Sequence, residues 1–440
     1  MAQHSEPTDP DLHAGDGQAS AHGKRRGWRQ IGAIRPLSVA IAAVAITAMA
    51  LRPGATSIGP LLAELQWDLG IDSTQLGVLT ALPGFAFALV GFFANRLTPR
   101  LGLIGALLLA TASITVGLLG RVLVGNWGLF LLLSFVALAG MAVGNVILPA
   151  FIKASFPRST TAMSTVYTTF LAIGSTLPTA FGIPMIGLGA GFIAEEKAWR
   201  FSLGFWFIIP AVATALWVVL QRSRTARQQR VNVAAHPVSV SRLLRSPTAI
   251  ALMVFFGAQS MQAYIQFGWI AQVYRDGGLP ASNAGAILSI ITLGGIPGAL
   301  IMPRIVAKGK GLRPAIILFG VLLFCGYLGI AYIPTTTPWL WALCLSLSGF
   351  AFPTALAMII ARTREPSVTS AVSGFVQPVG YVLSGIGPML VGWGFGITGN
   401  WKPILWVLAI TSVILVAAGL IAARDRVIDD EIDLASDTRN

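Results

Sequence analysis

Charge is what this chain has least of. Only 11% of its 440 residues are Asp, Glu, Lys or Arg, while 55% are hydrophobic, and the mean hydropathy is +0.75. A soluble globular chain carries about 25% charged residues. A chain of this length without them has no polar skin, which excludes a soluble enzyme. Acid is scarcer than base, with 17 Asp and Glu against 30 Lys and Arg. Every acid lies in a tail, a loop or the end of an apolar run, and Glu64 comes nearest to a run's interior. The four histidines, His4, His13, His22 and His236, also stand outside the apolar runs. Proton relays at membrane depth use Asp, Glu or His, so the sequence speaks against a proton-driven exporter of cationic drugs. Cysteine is limited to Cys325 and Cys344, both in apolar runs, where they read as small buried hydrophobes and imply no disulfide. The segment before the first run holds Glu6, Asp9, Asp11 and Asp16 and no apolar core, so it does not read as a signal peptide. The sequence shows no phosphate-binding loop, metal-ligand cluster or nucleophile–base pair. Neither a nucleotide partner nor a cofactor is expected.

What the chain does have is apolar length. A crossing helix needs about 20 mostly apolar residues. Twelve candidate spans follow one another: 36–60, 73–95, 101–120, 127–150, 161–192, 200–221, 248–272, 282–305, 313–334, 338–361, 368–397 and 401–423. Most of the 48 Gly and 25 Pro fall inside these runs, where membrane helices tolerate them. The net charge of +13 sits in the short segments between spans, so it bears on membrane orientation and not on nucleic acid. With the N-terminus placed inside, the inside segments carry 24 of the 30 Lys and Arg. The outside segments carry Arg121, Lys197, Arg200, Arg275 and Lys402, and Arg52 lies within a span, far from either end. This inside-positive bias predicts an even number of crossings, cytoplasmic termini and residence in the inner (cytoplasmic) membrane, with lipid as the surrounding partner.

The predicted fold class is an all-α integral membrane protein of twelve transmembrane helices in two six-helix halves. A tail at 1–35 is followed by one bundle at 36–221, a basic linker at 222–247, a second bundle at 248–423 and an acidic tail at 424–440. The tail reads as disordered from Asp425 onward. The linker carries Arg222, Arg224, Arg227, Arg230, Arg242 and Arg245, and reads as a solvated connection or as a lipid-surface contact. The halves repeat each other weakly but in order. Trp199-Arg200 opens the sixth span and Trp401-Lys402 the twelfth; Gly144 to Pro149 in the fourth is echoed by Gly349 to Pro353 in the tenth; Thr161 and Thr369 begin the fifth and eleventh. Two six-helix repeats rocking about a midplane site are a transporter architecture, with a small solute as partner.

At these residues the chain resembles the major facilitator superfamily, the 6+6 transporters, over roughly residues 36–423. The loop motif usual after the second helix of that family is Gly-x-x-x-Asp-Arg-x-Gly-Arg-Arg. Here Gly91, Arg96 and Arg100 match, Asn95 replaces the acid, and Thr98 and Pro99 depart. The resemblance implies a gating role for Gly91, Asn95, Arg96 and Arg100, without the family's usual ion pair. Within the superfamily the chain is similar to the cyanate and 2-nitroimidazole transporters. The stretches that carry this are Leu51-Arg52-Pro53 through Pro60, Gly144-Asn145 through Pro149, Gly295-Ile296-Pro297 and Gly374 through Pro388. The resemblance implies a small nitrogen-containing or anionic solute, cyanate-like, nitrite-like or nitroimidazole-like, moved by alternating access.

Among the residues themselves Arg52 stands out. An arginine at a helix centre costs roughly 2.5–3.5 kcal/mol on insertion scales. It implies a partner or a water-filled cavity. Pro53 cannot donate to the carbonyl of Met49, so the backbone is open there. Arg52 reads either as the anchor for an anionic or strongly dipolar solute or as a residue paired with helix-end carbonyls. Thr56 lies one turn on, on the same face. Gln259, Gln262 and Gln266 share a face of the seventh span, suited to a dipolar ligand or to interhelical hydrogen bonds. Gln377 and Tyr381 belong to a polar stripe with Ser373 and Ser384 in the eleventh span, and Asn145 is a polar residue deep in the fourth. These are the candidate substrate contacts. Thr165, Thr168 and Thr169 read as bonding their own helix backbone. Gly140 and Gly144 read as a close helix contact. Two other functions remain on this reading, efflux of hydrophobic compounds and a non-transporting membrane sensor. A monomer is expected.

Overall fold

The computed structural model describes residues 34–94, 97–222 and 239–437. Among them every regular element is helical. An apolar backbone in hydrocarbon must satisfy its own hydrogen bonds, which leaves helices as the way for these runs to cross. Twelve spans result: α1 (Leu37–Leu69), α2 (Ser73–Gly91), α3 (Arg100–Leu123), α4 (Trp127–Ser155), α5 (Ala162–Gly189), α6 (Glu195–Arg222), α7 (Pro247–Asp276), α8 (Ala281–Lys308), α9 (Leu312–Tyr332), α10 (Pro338–Ala361), α11 (Val368–Thr398) and α12 (Trp401–Ala422). Large apolar side chains such as Leu123, Val219, Ile397 and Val413 are exposed, as a lipid-facing surface requires.

The predicted spans hold, with two instructive differences. The first span extends past residue 60 because it is broken. Regular helix ends at Ala50, a four-residue helix follows at Pro53–Thr56, then a 3-10 turn at Gly59–Leu61 and a last helix at Leu62–Leu69. The third span extends beyond residue 120, so Arg121 is not a loop residue. It lies in the last turn of its helix and is fully buried.

The same neighbour relations recur in both halves. Within α1–α6, α1 packs on α5 and α6, and α3 on α4 and α6; within α7–α12, α7 packs on α11 and α12, and α9 on α10 and α12. The repeat extends to single bonds. The indole of Trp199, opening α6, donates to Asp68 at the end of α1 (3.2 Å), and that of Trp401, opening α12, donates to Asp276 at the end of α7 (2.8 Å). Arg200 also pairs with Asp68 at 2.9 Å.

The halves meet mainly at the end of the bundle away from the termini. There Gly84 of α2 lies against the backbone of Gly385 in α11, with room for no Cβ. Thr179 of α5 bonds Ser289 of α8 at 3.1 Å, and Gly59 of α1 lies against the carbonyl of Phe267 in α7. An ion pair closes this end: Arg275 of α7 forks onto both carboxylate oxygens of Glu64 in α1 at 3.0 and 2.9 Å, and reaches the Pro60 carbonyl at 3.2 Å.

The acidic tail is ordered over part of its length, contrary to the disorder read from its composition. Ile428–Asp437 form a further helix, α13, whose Ile428 and Ile432 are buried. Its acids are ligands for other helix starts. Glu431 accepts from Ser246 and from the backbone and hydroxyl of Thr248 at the start of α7, and Asp429 accepts from the backbone N–H groups of Arg364 and Glu365 ahead of α11. Carboxylates at helix N-termini are favoured by the exposed N–H groups there. Composition sees only the charge and not the donors.

Candidate functional site

The break in α1 is where the site begins. Pro53 removes the donor that Met49 would have used. Gly174 of α5 packs directly against that freed carbonyl, a closeness only glycine allows. The Arg52 carbonyl closes the next turn, accepting from the N–H groups of Ala55 and Thr56 at 3.0 and 3.1 Å. Its half-buried side chain projects into a cavity of about 380 Å³ between the halves. Arg52 is the one charged residue lining this cavity, and among the described residues its guanidinium makes no ion pair. It interacts through space with the phenols of Tyr167, Tyr264 and Tyr381. The buried Tyr264 hydroxyl has its hydrogen-bonding interaction with Arg52.

The rest of the wall mixes neutral polar groups with aromatic rings. Gln259, Gln266, Gln377, Tyr381 and Asn145 all line it. Gln259 is buried with its carbonyl oxygen unpaired. Gln377 donates to Ser373 at 2.7 Å, and Gln266 to Tyr327 at 3.3 Å. Asn145 is partly committed, donating to the Met141 carbonyl at 2.9 Å and accepting from Tyr167 at 3.3 Å. The Tyr381 ring is held by Phe87 and Phe256, at 5.2 and 5.3 Å between centroids.

Two candidates do not belong here. Gln262 donates to Thr411 of α12 and accepts from Tyr327 of α9, away from the cavity. Helix geometry explains it. At roughly 100° per residue, the lining face of α7 is centred near Ser260, Ala263 and Phe267. Gln259 and Gln266 flank that face, and Gln262 is turned past its edge toward the neighbouring helices. Thr56 is fully buried and bonds the Arg52 carbonyl at 3.2 Å, so it closes the broken turn and does not face the cavity. Thr168 bonds the carbonyls of Ser164 and Thr165, as expected of a helical threonine. Of the loop-motif residues, Asn95 and Arg96 lie outside the described residues; Gly91 sits in α2 and Arg100 is exposed at the start of α3.

Sequence reasoning missed Tyr264 and Tyr167 as wall residues, since an aromatic in an apolar run carries no signal of where it points. It also missed the route. Toward the termini the cavity continues into a vestibule of about 1250 Å³, sharing Thr168, Ala299, Pro353 and Leu356 with it. Lys308, Arg313 and Arg362 stand in the vestibule wall with one acid, Asp425. The bundle is thus closed at one end and open at the end that bears the termini.

A two-bundle membrane fold with a central cavity between the bundles is a transporter architecture. The fold aligns with the solved nucleoside transporter NupG at a TM-score of 0.70, with 14% identity over 88% of this chain and 99% of that one. The sequence profile of the Major Facilitator Superfamily matches residues 40–385, and the chain belongs to that family: it is a multi-pass membrane transporter, not an enzyme. Among curated relatives it is similar to the 2-nitroimidazole transporter of Escherichia coli (strain K12), 29% identical over 88% of this chain and 96% of that protein. It is similar also to the cyanate transport protein CynX of the same organism, 27% identical over 80% and 88%.

Proposed function

We propose that the protein carries a small anionic or nitrogen-containing polar solute across the cytoplasmic membrane, with Arg52 as the anchor in the central cavity. The observation that carries this is a lone, unpaired guanidinium facing a cavity whose other polar groups are neutral. A buried charge without a counter-charge is costly, and a bound anion offsets that cost. Gln259, Gln266 and Gln377 both donate and accept, which suits a planar dipolar group. The cavity is far larger than a triatomic ion, and its phenol and phenyl walls offer stacking faces. That favours a ring-bearing solute such as a nitroimidazole over cyanate alone. The basic vestibule raises the local concentration of anions at the open end. Cytoplasmic termini, as the charge bias predicts, make this the inward-facing state.

Efflux of hydrophobic compounds is the second reading, favoured by the aromatic residues in the wall. The two separate in reconstituted vesicles given labelled cyanate, nitrite and a nitroimidazole. Arg52 bonds of the charge-assisted kind contribute about 1.5–3 kcal/mol, so Arg52→Ala is expected to lower saturable uptake by about ten- to a hundredfold. Flux untouched by the substitution removes Arg52 from the mechanism and leaves the efflux reading. Repeating the assay across a pH gradient reads out any proton coupling.

A further inference from the structure

The vestibule at the open end holds three bases against one acid, and the transport reading uses them only as a diffuse field. Lys308 stands at the end of α8, Arg313 in the first turn of α9 and Arg362 just past α10. Arg362 is engaged: its guanidinium donates to the Ala422 and Ala423 carbonyls at 3.1 and 3.2 Å and lies 3.5 Å from Asp425. Arg313 is near enough to Arg362 to repel it. Lys308 and Arg313 are exposed and make no ion pair among the described residues. The remaining wall is largely apolar, through Pro303, Val306, Leu356 and Ile360, the last 69% exposed. At about 1250 Å³ the vestibule has more than three times the volume of the central cavity, about 380 Å³, so it has room for a body larger than the solute.

Both termini are at this end, and the acids of the C-terminal segment already serve as partners here. Asp425 meets Arg362, Asp430 meets Arg364, and Asp429 and Glu431 take the N–H groups of helix starts. The N-terminal segment, outside the described residues, has the same chemical character. Its first 23 residues contain Glu6, Asp9, Asp11 and Asp16 and no Lys or Arg. Asp16 precedes Ile34, the first described residue, by 18 residues. A chain of that length reaches about 60 Å, more than the roughly 40 Å that four helices side by side occupy.

We propose that the vestibule is the docking site for the acidic N-terminal segment of this same chain, residues 6–16, which covers the route to the central cavity. Its carboxylates meet Lys308 and Arg313, and Leu12 meets the apolar wall beside Ile360. An ion pair in so open a place is weak by itself, but the covalent link holds the segment at a high effective concentration. Free anions lack that advantage. An anionic solute competes with the segment for the same bases, so the segment is a brake that solute relieves. Docking itself does not depend on what the Arg52 cavity carries.

The test uses the full-length protein in detergent and a water-soluble carbodiimide, which joins a carboxylate to a lysine amine where the two touch. Expected is a bond within one chain between the 6–16 segment and Lys308 or nearby Lys310, mapped by mass spectrometry of tryptic peptides and lost at high ionic strength. Bonds to Lys24 or Lys153 alone, bonds only between copies, or no bond at all overturn the proposal and leave the vestibule bases to solute or lipid. In vesicles, Glu6→Gln, Asp9→Asn, Asp11→Asn and Asp16→Asn combined are expected to raise the initial rate of uptake about two- to fivefold at low salt. A rate that these substitutions leave unchanged overturns the covering of the route, even where the bond forms. Should none of the three labelled solutes move, the cross-link decides alone, so failure of the Arg52 reading and failure of the docking are told apart.

Discussion

At the scale of the residue, identical side chains on one helix have different tasks. Gln262 and Gln266 are four residues apart on α7, and both touch Tyr327. Only Gln266 also faces the cavity, while Gln262 ties α7 to α9 and α12. Gln262→Ala should therefore lower the thermal midpoint, by the roughly 0.6–1.7 kcal/mol that interhelical polar contacts contribute in membranes, with the KM for transport little changed. Gln266→Ala should raise KM. A KM increase for Gln262→Ala without loss of stability would put it back among the substrate contacts. Arg52 was legible as a site residue because an arginine inside an apolar run is conspicuous by composition. Arg121 was not. It stands near the end of its run, and three residues of helix separate a loop arginine from a fully buried one.

At the scale of the element, the broken first helix organises the centre. Pro53 opens it, the Arg52 carbonyl and Thr56 close the next turn, Arg121 holds the Gly54 carbonyl from one side, and Gly174 presses on the Met49 carbonyl from the other. A Cβ at Gly174 meets rigid backbone, and overpacking of this kind costs about 1–3 kcal/mol. Gly174→Ala should lower the midpoint of thermal unfolding and the transport rate together. Gly187→Ala on the same helix, where a Cβ meets only open space, should leave both unchanged. Equal behaviour of the two variants would show that the α1–α5 contact does not bear on stability. The proline was visible in the sequence. The glycine that answers it, more than a hundred residues on, was not, because nothing local marks which of 48 glycines faces a freed carbonyl.

At the scale of the whole molecule, transport requires that the closed end be only modestly favoured. The Glu64–Arg275 pair bridges the halves there and is about one-fifth exposed on each side. Exposed pairs contribute up to about 1 kcal/mol; this one is bidentate and mostly buried, so at least that is expected, a shift of about fivefold or more in a two-state equilibrium. Glu64→Gln should therefore raise the population open at that end by about fivefold or more, read as faster labelling of a cysteine placed beside Gly59 or as longer distances between spin labels on α1 and α7. No change in either would locate the energetic closure in the glycine contacts of α2 and α11 instead.

The sequence alone determined that this is a twelve-helix membrane protein in two related halves. Apolar length, the loop-by-loop charge bias and the recurring Trp-basic pairs are properties of composition and order, and hydrocarbon leaves an apolar chain few alternatives to helices. The Trp–Asp bonds closing each half show how far that reading extends. Tertiary structure decided which faces meet: that Gln262 turns from the cavity while Tyr264 lines it, that Arg121 is buried, that the acidic tail folds as a cap, and which end of the bundle is closed. Each depends on the rotation of one helix against another, and a rotation of a few tens of degrees moves a side chain from lumen to interface without altering the hydrophobic pattern that the sequence displays.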